Sequence, residues 1–443
     1  MSINTATRLT FITKRSKREP QGKAIALAHL LNEEYLTSCY KELKRGKAPG
    51  IDGRTLESYS AEEIQAVIKK TVSKMKNKRY KPKPVKRTLI EKLNGKLRPL
   101  GIPTVKDKIV QLGIKKILEA IYEPIFMNFS YGFRPNRSCH DALKAVHKMT
   151  MTKPINWIID IDIKGFFDNV DHSWLIECLD QKIGDKNFRS IIIKFLKAGV
   201  IKEGKYHKTK KGAPQGGIMS PVLANIYLHY VLDMWFEHKL KKEIKEQNGY
   251  TEMIRYADDF IIGAQTKVQA NQILKEIKTR LKKFNLEVSQ EKTKIIEFGK
   301  YAKENSRKRG KSKPETFNFL GFTHYVGKSR KGNFLIKVRT EKRRRKNALK
   351  EMNLYLKKTR SRMKIKDIWR VLESKLRGHY NYYGISSNIH EIQSFYYKTV
   401  LLTYKWMNRR SQKRSFNWDS FNKYLNKYPL PKPALRVSMY DQW

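Results

Sequence analysis

Residues 253–262 read MIRYADDFII. Two adjacent aspartates, Asp258 and Asp259, sit inside a run with the apolar character of a buried strand. A buried carboxylate without a partner is costly, and two side by side repel each other. A hard cation removes the conflict: magnesium takes oxygen ligands in octahedral geometry and usually shares them with phosphates. Two such ions, roughly 3.5–4 Å apart, clamp the attacking and leaving oxygens of a phosphoryl transfer. That arrangement needs another carboxylate from a different strand. The stretch NWIIDIDIKGFFD (156–168) offers candidates. Asp160 and Asp162 are two apart on a strand and so share a face. Asp168 and Asp171 lie beyond the turn expected at Gly165.

Such carboxylates need rigid elements to hold them. MIRYADDFIIGA is expected to form a β-hairpin, and IIDIDI a strand. AEEIQAVIKKTVSKM (61–75) places Ile64, Val67, Ile68, Val72 and Met75 at helical spacing. GKAPGIDG (46–53) reads as a loop, marked by its glycines and proline. VKRTLIEKLNGKLRPLGIP (85–103) reads as a hairpin turning at Asn94-Gly95. Helices are expected at about 105–123, 137–150 and 266–285, with a long one over 219–240. In that long helix Ser220 reads as the N-cap and Pro221 as the first helical residue. Asp171 reads as another N-cap. Short strands are expected near 286–298, 316–326 and 333–339, with a basic connector at 300–315. From residue 339 onward the pattern is helical. The fold class is therefore α+β: a body of about 340 residues, the first 80 mostly helical and basic, followed by a helical unit of about 100.

The charge balance narrows the partners. The 443 residues include 94 Lys+Arg against 41 Asp+Glu, a formal charge of +53. Such an excess points to a polyanion. The basic residues run along the whole chain rather than down one amphipathic helix, which argues against a membrane-surface role. No apolar run approaches the ~18 residues of a membrane span. The first twenty residues lack the apolar segment of a secretory signal. Cys39, Cys139 and Cys178 are far apart, with neither zinc-ligand spacing nor a disulfide framework, so a reduced, intracellular setting is expected. His140 and His172 have no partner at metal-ligand spacing and read as structural.

Taken together, these motifs resemble reverse transcriptases. DIDIKGFFDNVDH, PQGGIMSPVLANIYL and YADD occur in that family's order. GKAPGIDG, NGKLRPLGIPTVKDKIVQ and YGFRPNRSCHDAL match upstream blocks of the group II intron-encoded enzymes. RGHYNYYGISSN and KWMNRRSQKRSFNWDSFNKYL are similar to their thumb or maturase region, with His379 where some members carry tryptophan. The resemblance implies a right-hand polymerase fold. Residues 1–80 would form a basic helical extension and the start of the fingers. Residues 81–339 would form fingers and palm with a primer-grip hairpin, and 340–443 a helical thumb or maturase domain. The implied function is an RNA-directed DNA polymerase encoded by a group II intron, which also assists splicing and mobility as a maturase. The alternatives are a domesticated relative in phage defence, CRISPR adaptation or repair, and a non-catalytic RNA-binding splicing factor.

The resemblance also assigns residues. It selects Asp162, five positions before Phe167, to join Asp258 and Asp259 as catalytic metal ligands, with the Ile163 carbonyl as a further ligand. The implied cofactor is Mg2+, two ions, with Mn2+ able to substitute. Arg98 and Lys92 would contact the triphosphate. Phe167 would stand under the sugar and exclude a 2′-hydroxyl, and Gln215 would lie near the incoming nucleotide and template base. Tyr256 would pack against the primer end. FNFLGF (317–322) would be the primer-grip hairpin, with Gly321 at its turn. Arg343, Arg344 and Arg345 would track backbone phosphates. Tyr380, Tyr382, Tyr383, Tyr396, Tyr397 and Trp406 interleave with these charges, and most read as helix-packing core. The implied partners are group II intron RNA, an RNA template with a DNA primer, deoxynucleoside triphosphates and a DNA target. No membrane is involved, and oligomeric state is not encoded in the motifs. The implied location is the bacterial cytoplasm or nucleoid. No Cys-x-x-Cys pair or His-Asn-His-like segment follows the thumb region. Homing is therefore expected to use nicks made by the intron RNA, or primers at replication forks.

Overall fold

The computed structural model describes residues 5–91, 95, 97–213, 215–412 and 415–440. The chain divides into two compact units, 1–142 with 158–295, and 143–157 with 296–443. Among the described residues no helix is long and apolar enough to cross a membrane.

In the first unit the strands are β1 (Val85–Glu91), β2 (Leu97–Ile102), β3 (Trp157–Asp162), β4 (Val200–Lys202), β5 (Lys205–His207), β6 (Thr251–Tyr256), β7 (Asp259–Ala264) and β8 (Lys294–Glu297). One sheet has the order β2-β1-β4-β5 and the other β6-β7-β3-β8. The second is the scaffold for the aspartates. β3 buries Ile158, Ile159 and Ile161, and the β6–β7 pair buries Met253, Ile254, Phe260, Ile261 and Ile262. Apolar runs of this kind fit strands covered on both faces. The helix Lys267–Lys283 packs on β7 through Ile273 and Ile277 at helical spacing.

The expected helix at 61–75 spans Ala61–Lys76, opened by a Ser60–Glu63 capping box. Asp171 caps the helix His172–Asp180, accepting from the N–H groups of Ser173 and Trp174. The expectation at Ser220 shifts by one residue. Met219 is the N-cap, Ser220 is the first helical residue and Pro221 the second. The first helical bond runs from Leu223 N to Met219 O, so the turn closes one position earlier than the Ser-Pro pair suggests. The long helix continues beyond 240, to Glu246, and carries two π-helical segments, His229–Asp233 and Phe236–Leu240. Such segments are rare and concentrate at functional sites.

In the second unit β9 (Phe317–Phe319), β10 (Phe322–Lys328) and β11 (Phe334–Thr340) form a sheet of order β11-β10-β9. Among the described residues four helices follow: Lys342–Thr359, Ile365–Tyr383, Ile389–Met407 and Trp418–Lys427. Leu356, Ile368, Leu372, Leu376 and Ile392 form the centre of their shared core. The connector at 300–315 contains a helix, Ala302–Lys308. Asn305 and Arg309 reach back from it and just beyond it to Glu297, fixing a segment whose own sequence has little apolar periodicity. The molecule is thus α+β with a helical C-terminal region.

Candidate active site

The β6–β7 hairpin pairs Tyr256 with Asp259 across a turn of two residues, Ala257 and Asp258. Ala257 has φ 58, a left-handed conformation that costs an L-residue roughly 1 kcal/mol or more. What holds it there is Arg255. This side chain is fully buried and spreads its donors over four elements. Nη1 donates to the Ala257 carbonyl at 2.9 Å and to Asn225 Oδ1 at 3.1 Å. Nη2 donates to Ser130 Oγ at 2.8 Å. Nε donates to Asp233 Oδ1 at 2.7 Å, and Nη2 also meets the other carboxylate oxygen of Asp233. Asp233 is equally buried and lies in the first π-helical segment. The loop around Ser130 presses on the turn from outside. A side-chain carbon at Gly132 would stand 2.3 Å from Ala257 N, so only glycine fits.

Four carboxylates, Asp160, Asp162, Asp258 and Asp259, lie near enough for their charges to interact. Burial pushes Asp259 up to about 8, and Asp160, Asp258 and Asp162 push the same way while Lys292 opposes. Burial likewise raises Asp258, with Asp162 adding, while a backbone N–H, Arg98 and Lys292 pull back. Asp160 rises to about 7 through burial and the neighbouring Asp162. Lys292 bridges both oxygens of Asp162 at 2.9 and 2.8 Å. The end of β3 is pinned on either side of Ile163. Ser289 N–H donates to Asp162 O, and Lys164 N–H to Glu287 O, each at 2.8 Å. The Ile163 side chain is buried.

This donor set suits a hard divalent cation. It is all oxygen, anionic and partly buried, and burial, with the neighbouring carboxylates adding to it, holds Asp258 and Asp259 above the ordinary carboxylate range. Among the described residues no three His, Cys, Asp or Glu side chains already converge as a ligand set.

A cavity of about 400 Å3 is lined by Phe167, Asp168, Arg87, Leu100, Gly212 and Gln215. Phe167 sits on the short helix Phe166–Asn169, which opens at Gly165 with φ 57. Its carbonyl accepts from Ala213 N–H at 2.8 Å, which locks the segment before Gln215 against it. Gln215 joins two walls: its Oε1 accepts from Arg98 Nε at 2.8 Å and its Nε2 reaches Asp168 at 3.4 Å. Its carbonyl accepts from Gly101 N–H. Gly216 has φ +103, and a side chain there would meet Gly101 O at 2.8 Å. The glycine is therefore required by the approach of this loop to β2. Lys92, and Asn94 at the expected hairpin turn, lie outside the described residues.

Tyr256 is half-buried, 6.4 Å from the exposed ring of Phe133, and hydrogen-bonds with Cys139, which with burial raises its phenol pKa.

In the second unit, Phe319 pairs with Phe322 across Leu320 and Gly321, with φ 50 and 79. Positive φ at both positions is the mark of a tight hairpin turn whose twist matches its strands. Tyr382 Oη donates to the Leu320 carbonyl at 2.8 Å, and Tyr382 and Tyr383 both pack on Phe322. Those two tyrosines, with the buried Tyr380 and Trp406, are packing residues as expected, whereas Tyr397 is exposed. His379 stacks on Phe395 at 3.8 Å, and burial lowers it to about 4. Of the three arginines, Arg343 and Arg344 are exposed, while Arg345 is held in an ion pair by Glu391.

Sequence reasoning brings Asp162, Asp258, Asp259, Arg98, Phe167 and Gln215 into view. It passes over Arg255, Asp233 and Lys292. The signal for the first two is a lone charge inside an apolar run: Arg255 in MIRY and Asp233 in VLDMWF.

The family model for reverse transcriptase (RNA-dependent DNA polymerase) matches residues 58–324. The group II intron-encoded protein LtrA of Lactococcus lactis subsp. cremoris is 34% identical, over 83% of this chain and 72% of its own. An uncharacterized 91 kDa protein in the cob intron of Schizosaccharomyces pombe is 34% identical, over 66% of this chain and 42% of its own. A solved telomerase from Candida albicans with a fragment of telomeric RNA aligns over 81% of this chain and 64% of its own, at 13% identity and a TM-score of 0.44. The chain belongs to the reverse transcriptases, RNA-directed DNA polymerases, and within them to the group II intron-encoded enzymes that double as maturases.

Proposed function

We propose that this chain copies RNA into DNA at a site formed by Asp162, Asp258 and Asp259, and that it binds its own intron RNA as a maturase. The observation that carries the site is the β6–β7 hairpin, which puts Asp258 in its turn and Asp259 beside it in the sheet that also holds Asp162 on β3, in a chain of charge +53. Asp162 and Asp258 are the principal ligands, Asp259 assists, and the Ile163 carbonyl completes the oxygen set. Two Mg2+ ions bound there, with Mn2+ as a substitute, would lower the pKa of a primer 3′-hydroxyl and offset charge on the triphosphate and leaving pyrophosphate.

The chain's own residues do the rest. Arg98 is oriented by Gln215, so its Nη edge is the one that meets phosphate oxygens as a fork. Lys92 adds a point charge. Phe167 floors the cavity where the sugar would sit and rejects a 2′-hydroxyl. Tyr256 supports the primer end. Gly321 lets the primer-grip hairpin approach the backbone, and Arg343 and Arg344 meet phosphates. In domain terms, residues 1–80 begin the fingers, 81–339 complete fingers and palm, and 340–443 form the thumb or maturase domain. Partners are intron RNA, an RNA template, a DNA primer, deoxynucleoside triphosphates and a DNA target, in a bacterial cytoplasm or nucleoid.

Primer extension on an RNA template with Mg2+ and deoxynucleotides tests this, with wild type beside Asp258→Ala. Wild type extends, and the variant does not while still binding RNA. If neither extends while both bind structured RNA, the chain is an RNA-binding splicing factor instead.

A further inference from the structure

The helical part of the second unit carries a groove of about 740 Å3 between the helix Ile365–Tyr383 and the chain leaving the helix Trp418–Lys427. Three flat rings line it: Trp369, Tyr424 and Tyr428. Trp369 is its floor, nearly buried and fixed by donation from Nε1 to the Tyr428 carbonyl at 2.9 Å. Tyr424 stands edge-on to Trp369 at 5.2 Å and lies 4.9 Å from Tyr428. Tyr428 is 46% exposed, so a ring face is accessible. Around the rings stand Lys366, Arg370 and Lys427, opposed by Glu373. Lys427 Nζ lies 5.7 Å from the Tyr428 ring. The contact of Arg370 with Asp367 is long, 3.6 Å, and exposed, and such pairs hold a guanidinium only weakly.

We propose that this groove binds one unpaired RNA nucleotide, with its base stacked on Tyr428 and its phosphate facing Lys366, Arg370 and Lys427. The site rests on the maturase part of the proposed function and deepens it, and it shares no residue with the polymerase site. Volume, ring chemistry and charge agree. Ligand pockets run to roughly 300–1,000 Å3, lined by aromatics with a few polar groups. Every base offers a π-face to an aromatic ring, and Lys366, Arg370 and Lys427 together outweigh Glu373 and Asp367 and suit a phosphate. Duplex RNA hides its base faces, so the occupant is a looped-out or single-stranded residue.

The test uses the full chain and a short single-stranded RNA carrying 4-thiouridine, photocrosslinked and mapped by mass spectrometry. Crosslinks are expected in the peptides holding Trp369, Tyr424 and Tyr428. Tyr428→Ala leaves the Trp369 bond intact, because a main-chain carbonyl accepts it. It should cut crosslinking about tenfold, within the range that loss of one stacking ring produces. Tyr428→Phe, which keeps the ring, should restore it. Uridine monophosphate should compete, whereas inorganic phosphate at equal ionic strength should not. Asp258→Ala should abolish extension and leave the crosslink unchanged, which separates failure of this site from failure of the polymerase reading. The proposal is overturned by crosslinks mapping elsewhere, by equal yield from duplex RNA or from Tyr428→Ala, or by a poly-glutamate peptide competing as well as the nucleotide.

Discussion

Arg255 lies fully buried behind the Ala257–Asp258 turn, and replacing it with methionine tests how that turn is held. The change keeps bulk and removes the guanidinium. Five hydrogen-bond partners lose their donor: both oxygens of Asp233, Asn225, Ser130 and the Ala257 carbonyl. Arg255 and Asp233 are both fully buried, so Asp233 keeps a charge with no cation. Breaking such a pair from one side costs about 3–5 kcal/mol. Ala257 also loses the bond that holds its φ of 58, a strain of about 1–3 kcal/mol that the turn can then release by rearranging. Against a total stability of about 5–15 kcal/mol, the first term alone is large. The assay is urea unfolding of the full chain alongside primer extension at a temperature where the variant remains folded. Arg255→Met should lose several kcal/mol of stability and most extension activity. Adding Asp233→Leu should return most of the stability, since removing both partners of a buried pair is often neutral. It should not return activity, since the Ala257 carbonyl is still untied. Full recovery of activity in the double variant, or a stability loss under about 1 kcal/mol in the single one, would refute the reasoning.

Three further outcomes follow from the same geometry. In a chelating buffer, Asp259 keeps its proton up to about 8 when folded but releases it near 3.8 when unfolded. The unfolded chain thus binds fewer protons across that window, and stability should fall as pH rises through it. Asp259→Asn should flatten the slope, as should Mg2+ in the wild type; equal slopes for wild type and variant without metal would contradict the assignment. Phe167→Ala should lower discrimination against ribonucleotides by at least about tenfold in single-nucleotide incorporation, and unchanged sugar selectivity would remove the gate. Neutralising Arg343 and Arg344 should reduce the slope of log affinity against log salt by about one unit per lost phosphate contact, while Arg345→Gln should mainly lower stability. An unaltered slope would place the phosphate track elsewhere.

What is legible in the sequence is what a local pattern can carry. Adjacent aspartates in an apolar run need a chemical reason, and strand alternation puts Asp160 and Asp162 on one face, so residue types and spacing supply the candidate carboxylates, while the choice of Asp162 comes from the family resemblance. The helix Ala61–Lys76 and the β10–β11 region follow from periodicity. The Ser220-Pro221 pair marks a helix start but misses it by one residue, within the usual play of helix ends. What is not legible depends on distance along the chain. Asp233 is 22 positions from Arg255 and Ser130 is 125 away, so nothing near MIRYADD announces the anchor of its turn.

The same argument governs the basic residues. A run such as KRRRK looks uniform, yet Glu391, 46 positions away, turns Arg345 into part of the packing while Arg343 stays exposed. Arg255 is the extreme case, a cation fully removed from solvent in a chain of charge +53. Total charge therefore sets the attraction to a polyanion. Which cations do the binding is decided by which ones the fold leaves without a carboxylate, and that is a property of contacts rather than of composition. On that basis Lys366 and Lys427 at the Tyr428 groove and Arg343 in the run at 342–346 are the cations of the helical region to test first for bound RNA.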